Sequence, residues 1–101
     1  MNSLDKQIDS FLNERFPKLE NGPDVEDICL IYLDTKTGGC ISYFQKKQYL
    51  DPWRLATLGL CYGELVKVCS KIEGKEKDYF ERLKLLSKSI LKEIENKEEQ
   101  R

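Results

Sequence analysis

The most chemically versatile side chains of this sequence are its four cysteines, at positions 29, 40, 61 and 69. Thiolates act both as nucleophiles and as metal ligands. No pair has C-x-x-C spacing and the chain contains no histidine. The usual zinc patterns and the commonest base for a cysteine nucleophile are therefore absent. Each cysteine lies among apolar neighbours, where it acts as a small hydrophobic residue. We predict buried structural thiols, no metal site and no cofactor.

Acid–base catalysis without histidine would depend on carboxylates or lysines. Glu64 is the most conspicuous acid, since it projects from a largely apolar helical segment, but Lys67 at i+3 offers it an ordinary ion pair. Asp34 and Asp51 have structural explanations, as a turn former and a helix cap. We predict no catalytic residue, and the chain is not expected to be an enzyme.

Aromatic and basic side chains alternate from Tyr43 to Arg54. Tyrosine, tryptophan and arginine are the usual anchors of protein interfaces, whereas aromatics beside lysines also suit nucleic acid. A third interpretation is that the rings pack internally and the lysines end a strand in solvent. The residues that we predict to contact a partner, here called the contact strip, are Tyr43, Lys46, Lys47, Tyr49, Trp53 and Arg54.

The overall charge excludes a strongly basic or acidic protein, because the net charge of the 101 residues is −1 although 35% of them are charged. Two lysine stripes at four-residue spacing run through residues 67–75 and 84–92. Such stripes can contact phosphates, so nucleic-acid or nucleotide binding is an alternative function. Nearby glutamates dilute their field, and a solvated helix face is the preferred explanation.

Three helices are predicted in what we expect to be one domain over residues 1–101. The first covers residues 3–16 and ends before Pro17. The second begins at Asp51-Pro52, a capping side chain followed by proline, and runs to about Ile72 with Gly74 just beyond it. The third covers residues 76–98, with an apolar seam of Tyr79, Leu83, Leu86, Ile90 and Ile94, and residues 94–101 are expected to fray. The apolar stripe predicted for the second helix is Leu55, Leu58, Tyr62, Leu65, Val66, Cys69 and Ile72.

A β-hairpin is predicted between the first two helices, with strands at residues 27–33 and 40–46 and a turn at Asp34–Gly39. Both faces of this hairpin are apolar, so one remains uncovered after the helices pack on the other. The resulting fold is α+β, ordered α-β-β-α-α. We expect a homodimer, either through a four-stranded sheet formed by two hairpins or through pairing of the central helices.

Gly59 and Gly63 lie one turn apart in the second helix, where glycine is unfavourable. Such a pair allows another element to approach the helix closely. The first helix, the hairpin and a second copy of the chain are all candidates for that element. We predict self-association through Gly59, Gly63, Ile31 and Tyr32.

The leading functional hypothesis is a small non-enzymatic interaction or regulatory protein that docks on another macromolecule, most simply a protein, as a homodimer. The segment after Met1 is polar, and no stretch has the ~18 apolar residues of a membrane helix. We therefore expect a cytoplasmic location and no membrane association.

Overall fold

The computed structural model describes residues 3–99, which form four helices and one short antiparallel hairpin in a single domain. The mixed α+β class is confirmed at this level. The elements in chain order are α1 Ser3–Leu12, β1 Asp24–Val25, β2 Ile28–Cys29, α2 Leu30–Lys47, α3 Pro52–Cys69 and α4 Gly74–Glu99.

The predicted hairpin of residues 27–46 is wrong, because residues 30–47 form α2. The buried residues of this segment recur at helical spacing: Leu30, Leu33, Thr37, Cys40, Ile41 and Phe44. Gly38 and Gly39, predicted as the turn, are interior helix residues, and neither has a positive φ. With no strands here, the four-stranded sheet of a dimer loses its basis.

The observed hairpin lies earlier and is much smaller. Asp24 pairs with Cys29 and Val25 with Ile28. The loop residues Glu26 and Asp27 have φ values of 50° and 66°. Positive φ at both positions of a two-residue loop is typical of a type I′ turn, whose twist matches that of antiparallel strands. This hairpin leads directly into α2.

The beginning of α3 confirms the Asp51-Pro52 prediction. Asp51 is the N-cap, and its Oδ1 accepts a 2.8 Å hydrogen bond from the backbone N–H of Arg54. The helix ends at Cys69, three residues earlier than predicted. Gly74 then adopts a φ of 71° where the chain turns into α4, a conformation that costs glycine little.

The core lies between α3 and its neighbours α2 and α4, and α1 closes it from the side. Phe44, Leu58, Leu65, Phe80 and Leu83 are among its fully buried side chains. The third predicted helix is confirmed as α4, which begins two residues earlier than predicted. It buries Tyr79, Leu83, Leu86 and Ile90 of the predicted seam, and Ile94 is half-buried.

The two chain ends differ from the prediction in extent. α1 stops at Leu12 rather than residue 16, and the backbone N–H of Glu14 bonds to the carbonyl of Phe11 at 3.0 Å as the chain turns. At the other end, α4 continues to Glu99. Fraying from residue 94 stays a prediction, and its last two positions, 100 and 101, lie outside the described residues.

Candidate interaction surface

The contact strip surrounds the connection between α2 and α3. Gln48 ends α2 in the left-handed conformation, with a φ of 61° and its N–H bonded to the carbonyl of Phe44. Asp51 then starts α3. This tight connection brings residues from the end of α2 beside residues from the first turn of α3. The residues predicted from one stretch of sequence therefore lie together on one surface.

Arg54 is the centre of the strip. Its guanidinium lies over the ring of Tyr43, 3.9 Å from the ring centroid, and forms an ion pair with Asp51. The pKa of Asp51 is lowered, first by the backbone hydrogen bond from Arg54 and then by its side chain. The positive charge of Arg54 is therefore largely neutralised by a neighbour within the same turn.

Two tyrosines stack edge to face beside Arg54. The rings of Tyr43 and Tyr49 are 5.9 Å apart at 84°, and their hydroxyls are 3.4 Å apart. This hydrogen bond raises the pKa of Tyr43. Tyr43 is half-buried against the core, whereas Tyr49 is 54% exposed. Tyr43 thus supports the ring of Tyr49 from the protein side.

Trp53 is the most exposed large apolar side chain among the described residues, at 78%. It lies in the first turn of α3, directly after Pro52, the residue that follows the N-cap Asp51. Lys46 and Lys47, at the end of α2, are also exposed and have no ion-pair partner among residues 3–99. The strip therefore combines two exposed rings with two exposed lysines.

The exposed apolar surface continues from Trp53 along α3. Ala56, Leu60 and Gly63 follow it at helical spacing, and Leu60 is 73% exposed. A Cβ atom built on Gly59 or Gly63 would have no atom within 4 Å. We call Trp53, Ala56, Gly59, Leu60 and Gly63 the outer face of α3. Within residues 3–99 no other element contacts these two glycine positions, so α1 and the hairpin are not the closely packed element.

The two self-association residues predicted outside α3 lie in the first turn of α2, not in a strand. Ile31 is 53% exposed and Tyr32 is 62% exposed. The ammonium of Lys36 lies 4.5 Å from the ring centroid of Tyr32 and 3.7 Å from Glu64 of α3. Tyr32 is therefore linked to α3 through Lys36, which replaces Lys67 as the partner of Glu64.

No protein-family model matches the chain, and no curated protein or solved structure does either. The surface must therefore be interpreted from its own residues. No helix formed by residues 3–99 has the length and apolar character needed to cross a membrane.

The four cysteines are free thiols. Cys40, Cys61 and Cys69 are buried, and Cys29 is half-buried. Burial raises the pKa of Cys40, and burial together with nearby Glu81 raises that of Cys69 to about 11. Because the thiolate is the reactive form, these two thiols are poor nucleophiles, in line with the structural role expected from their apolar neighbours.

A groove of about 430 Å³ lies between α1 and α4. Phe11, Leu85 and Leu86 contribute its apolar part, and Lys6 and Arg82 are its cations. Leu85 is 55% exposed there. The sequence pattern predicted an apolar seam on α4 but not this groove, which needs the relative placement of two helices distant in sequence.

Proposed function

We propose that the protein is a small interaction protein without catalytic activity, which docks on another protein through the contact strip and acts as a homodimer. The supporting observation is the exposure of two neighbouring aromatic side chains, Tyr49 at 54% and Trp53 at 78%, of which Tyr49 packs edge to face on Tyr43. Exposed aromatic side chains are typical interface anchors, because they bury much area with little loss of entropy.

The charges of the strip favour a protein over nucleic acid as the partner. Arg54 is paired with Asp51 and stacked on Tyr43. Within residues 3–99, Lys46 and Lys47 are therefore the unpaired exposed cations of the contact strip. In the described part of the chain, two of the six stripe lysines are paired, Lys71 with a glutamate of the hairpin loop and Lys84 with one on α4, and further glutamates flank both stripes in sequence. Binding to phosphates depends on several unpaired cations acting together.

The homodimer is proposed through the helical route, since the strands needed for a shared sheet are absent from residues 30–47. Large exposed apolar residues line α3 without a covering element. Contiguous apolar patches of this kind on a small protein mark interaction sites. The interaction protein therefore has two adjoining surfaces, the contact strip and the outer face of α3, which meet at Trp53.

The proposal is tested by quantitative affinity capture from the native host with the wild-type chain, a Tyr49→Ala/Lys47→Glu variant and a Leu85→Ala control. The first variant changes exposed strip residues and leaves Trp53 intact. Leu85 is a comparably exposed apolar residue on α4, away from the strip. We expect a specific protein to be lost with the strip variant and retained with the control, with all three chains equally folded by circular dichroism.

Two results would contradict the proposal. Loss of the captured protein with Leu85→Ala alone would move docking to the groove between α1 and α4. Salt-sensitive binding of single-stranded RNA or DNA, abolished by the strip variant, would replace the protein partner with nucleic acid. Such binding would weaken steeply between about 50 and 200 mM salt.

A further inference from the structure

The outer face of α3 alternates large and small side chains along a single stripe. Trp53, Ala56, Leu60 and Gly63 follow one another at three- and four-residue steps, the spacing at which helices pair along a seam. Trp53 and Leu60 are 78% and 73% exposed. The stripe therefore offers two protrusions and two flat positions to whatever covers it.

This stripe is complementary in shape to the same stripe on a second copy of α3 that runs in the opposite direction. If two copies of α3 lie antiparallel about a two-fold axis level with Leu58, Trp53 of each copy meets Gly63 of the other, and Leu60 meets Ala56. Large residues then fill the positions left flat by small ones, as interdigitated packing requires. A parallel pair would instead place Trp53 against Trp53 and Gly63 against Gly63, leaving one layer crowded and another empty.

The charges at the two ends of α3 favour the same orientation. Lys67 is the next residue of the stripe and lies in the last turn of α3. Antiparallel pairing keeps the Lys67 side chains of the two copies at opposite ends of the pair. Parallel pairing brings two lysines together, which like-charge repulsion opposes. Antiparallel helix dipoles are also mutually favourable.

The glycines of α3 have no reason within one chain to be glycine. Neither Gly59 nor Gly63 has a positive φ, and no atom from another part of residues 3–99 lies within 4 Å of the Cβ position of either. A residue with better helix propensity would suit an isolated helix at both positions. The missing side chains leave room for a second surface that approaches α3 from outside.

We propose that a second copy of this chain covers the outer face of α3, in an antiparallel two-fold pair that seats Trp53 on Gly63 and Leu60 on Ala56. The inference rests on the homodimer of the proposed function and names its interface. In a two-fold pair the same patch serves both subunits. In this pair Trp53 serves the dimer, whereas Tyr49, Lys46 and Lys47 of the contact strip border the paired helices and stay accessible to another protein.

The test compares wild type with Gly63→Leu and with Gly39→Leu. The added side chain at position 63 enters open space in one chain but occupies the seat of the partner's Trp53. Gly39, an exposed glycine of α2 with equally open surroundings, carries the matched change. We expect sedimentation equilibrium to show dimers for wild type and Gly39→Leu, and dissociation constants at least about tenfold weaker for Gly63→Leu.

Fluorescence gives a second readout, because Trp53 is the only tryptophan of the chain. Its emission should shift to shorter wavelength as wild-type protein is concentrated, since dimerisation removes the ring from water. The same shift should occur in Gly39→Leu and be absent from Gly63→Leu at matched concentration. This readout reports on the Trp53 seat itself.

Three results would overturn the inference. The first is a wild-type monomer at about 100 μM, a concentration well above the dissociation constants of stable dimers. The others are a dimer that Gly63→Leu leaves intact and a dimer that both leucine variants disrupt equally. None of them decides partner capture, which the Tyr49→Ala/Lys47→Glu variant tests without altering the α3 stripe. A monomer that still captures its partner through the strip refutes the homodimer and its α3 pairing, but not the docking function. A dimer of this geometry that captures nothing refutes only the docking function.

Discussion

The hydroxyl of Tyr79 on α4 donates a 2.6 Å hydrogen bond to Oδ1 of Asp34 on α2, across 45 residues of sequence. Burial raises the pKa of Asp34, while the bond from Tyr79 opposes that rise. Burial and this same bond keep the pKa of Tyr79 above its ordinary value, so the phenol stays a donor. The pair therefore joins α2 to α4 beside the core, at a residue predicted to sit in an exposed turn.

Asp34 should make stability depend on pH. Because folding raises its pKa above the unfolded value, its favourable contribution is complete below the unfolded pKa and is lost as pH rises through the folded pKa. Asp34→Asn can still accept the Tyr79 bond but does not ionise. We expect urea unfolding to show wild type losing stability relative to Asp34→Asn between about pH 3 and pH 7. A difference that stays constant over this range would contradict the assignment.

Asp51 should act in the opposite direction. Its pKa is lowered by hydrogen bonds from Arg54, so its contribution is present above the unfolded pKa and is lost as pH falls through the folded pKa. Asp51→Asn keeps an N-cap acceptor, whereas Asp51→Ala removes it. At neutral pH we expect thermal midpoints to fall from wild type to Asn to Ala. In acid, wild type and Asn should converge, and a persistent gap would argue against the charge effect.

Gly39→Ala distinguishes the observed helix from the predicted hairpin turn. Nothing lies within 4 Å of the added methyl group, and the residue is inside α2. We expect the free energy of unfolding to rise by up to ~1 kcal/mol. Gly74→Ala is the control, since the φ of 71° at that position should make the same change destabilising, by about 1 kcal/mol. Chemical denaturation of both variants measures the two signs.

Two leucines of α3, two positions apart, should respond very differently to truncation. Leu58 is fully buried and Leu60 is 73% exposed. In dilute protein, Leu58→Ala should cost ~2–5 kcal/mol of unfolding free energy because it leaves a cavity. Leu60→Ala should change it by no more than about 0.5 kcal/mol. Equal losses in both variants would show that α3 is rotated relative to the structure.

The accuracy of the sequence-based predictions depended on how local the deciding signal was. The start of α3 follows from Asp51 and the proline after it, because an N-cap needs only adjacent residues. The residues of the contact strip were predicted from the alternation of aromatic and basic side chains along the sequence, and their binding of a partner stays a prediction. Their arrangement, with Arg54 between Asp51 and Tyr43, required the αL turn at Gln48 that no sequence signal marks.

The α2 segment shows why the rest could not be predicted. Ile31 and Tyr32 are apolar yet exposed, so the segment looks apolar at every position and its helical period is hidden. Gly38 and Gly39 imitate a turn. The buried glutamate Glu76, whose Oε1 accepts a 2.5 Å bond from the backbone N–H of Glu20, was missed because its partner is 56 residues away.

The sequence by itself determined where α3 begins, that α4 presents an apolar seam, and that the thiols have no histidine beside them. Tertiary structure alone decided that residues 30–47 are helical and that α3 is turned so that Val66 faces out while Cys61 and Val68 face in. The physical reason is that caps depend on neighbours in sequence. Where local propensity gives helix and strand similar free energies, the chain adopts the conformation that buries more apolar surface against the other helices.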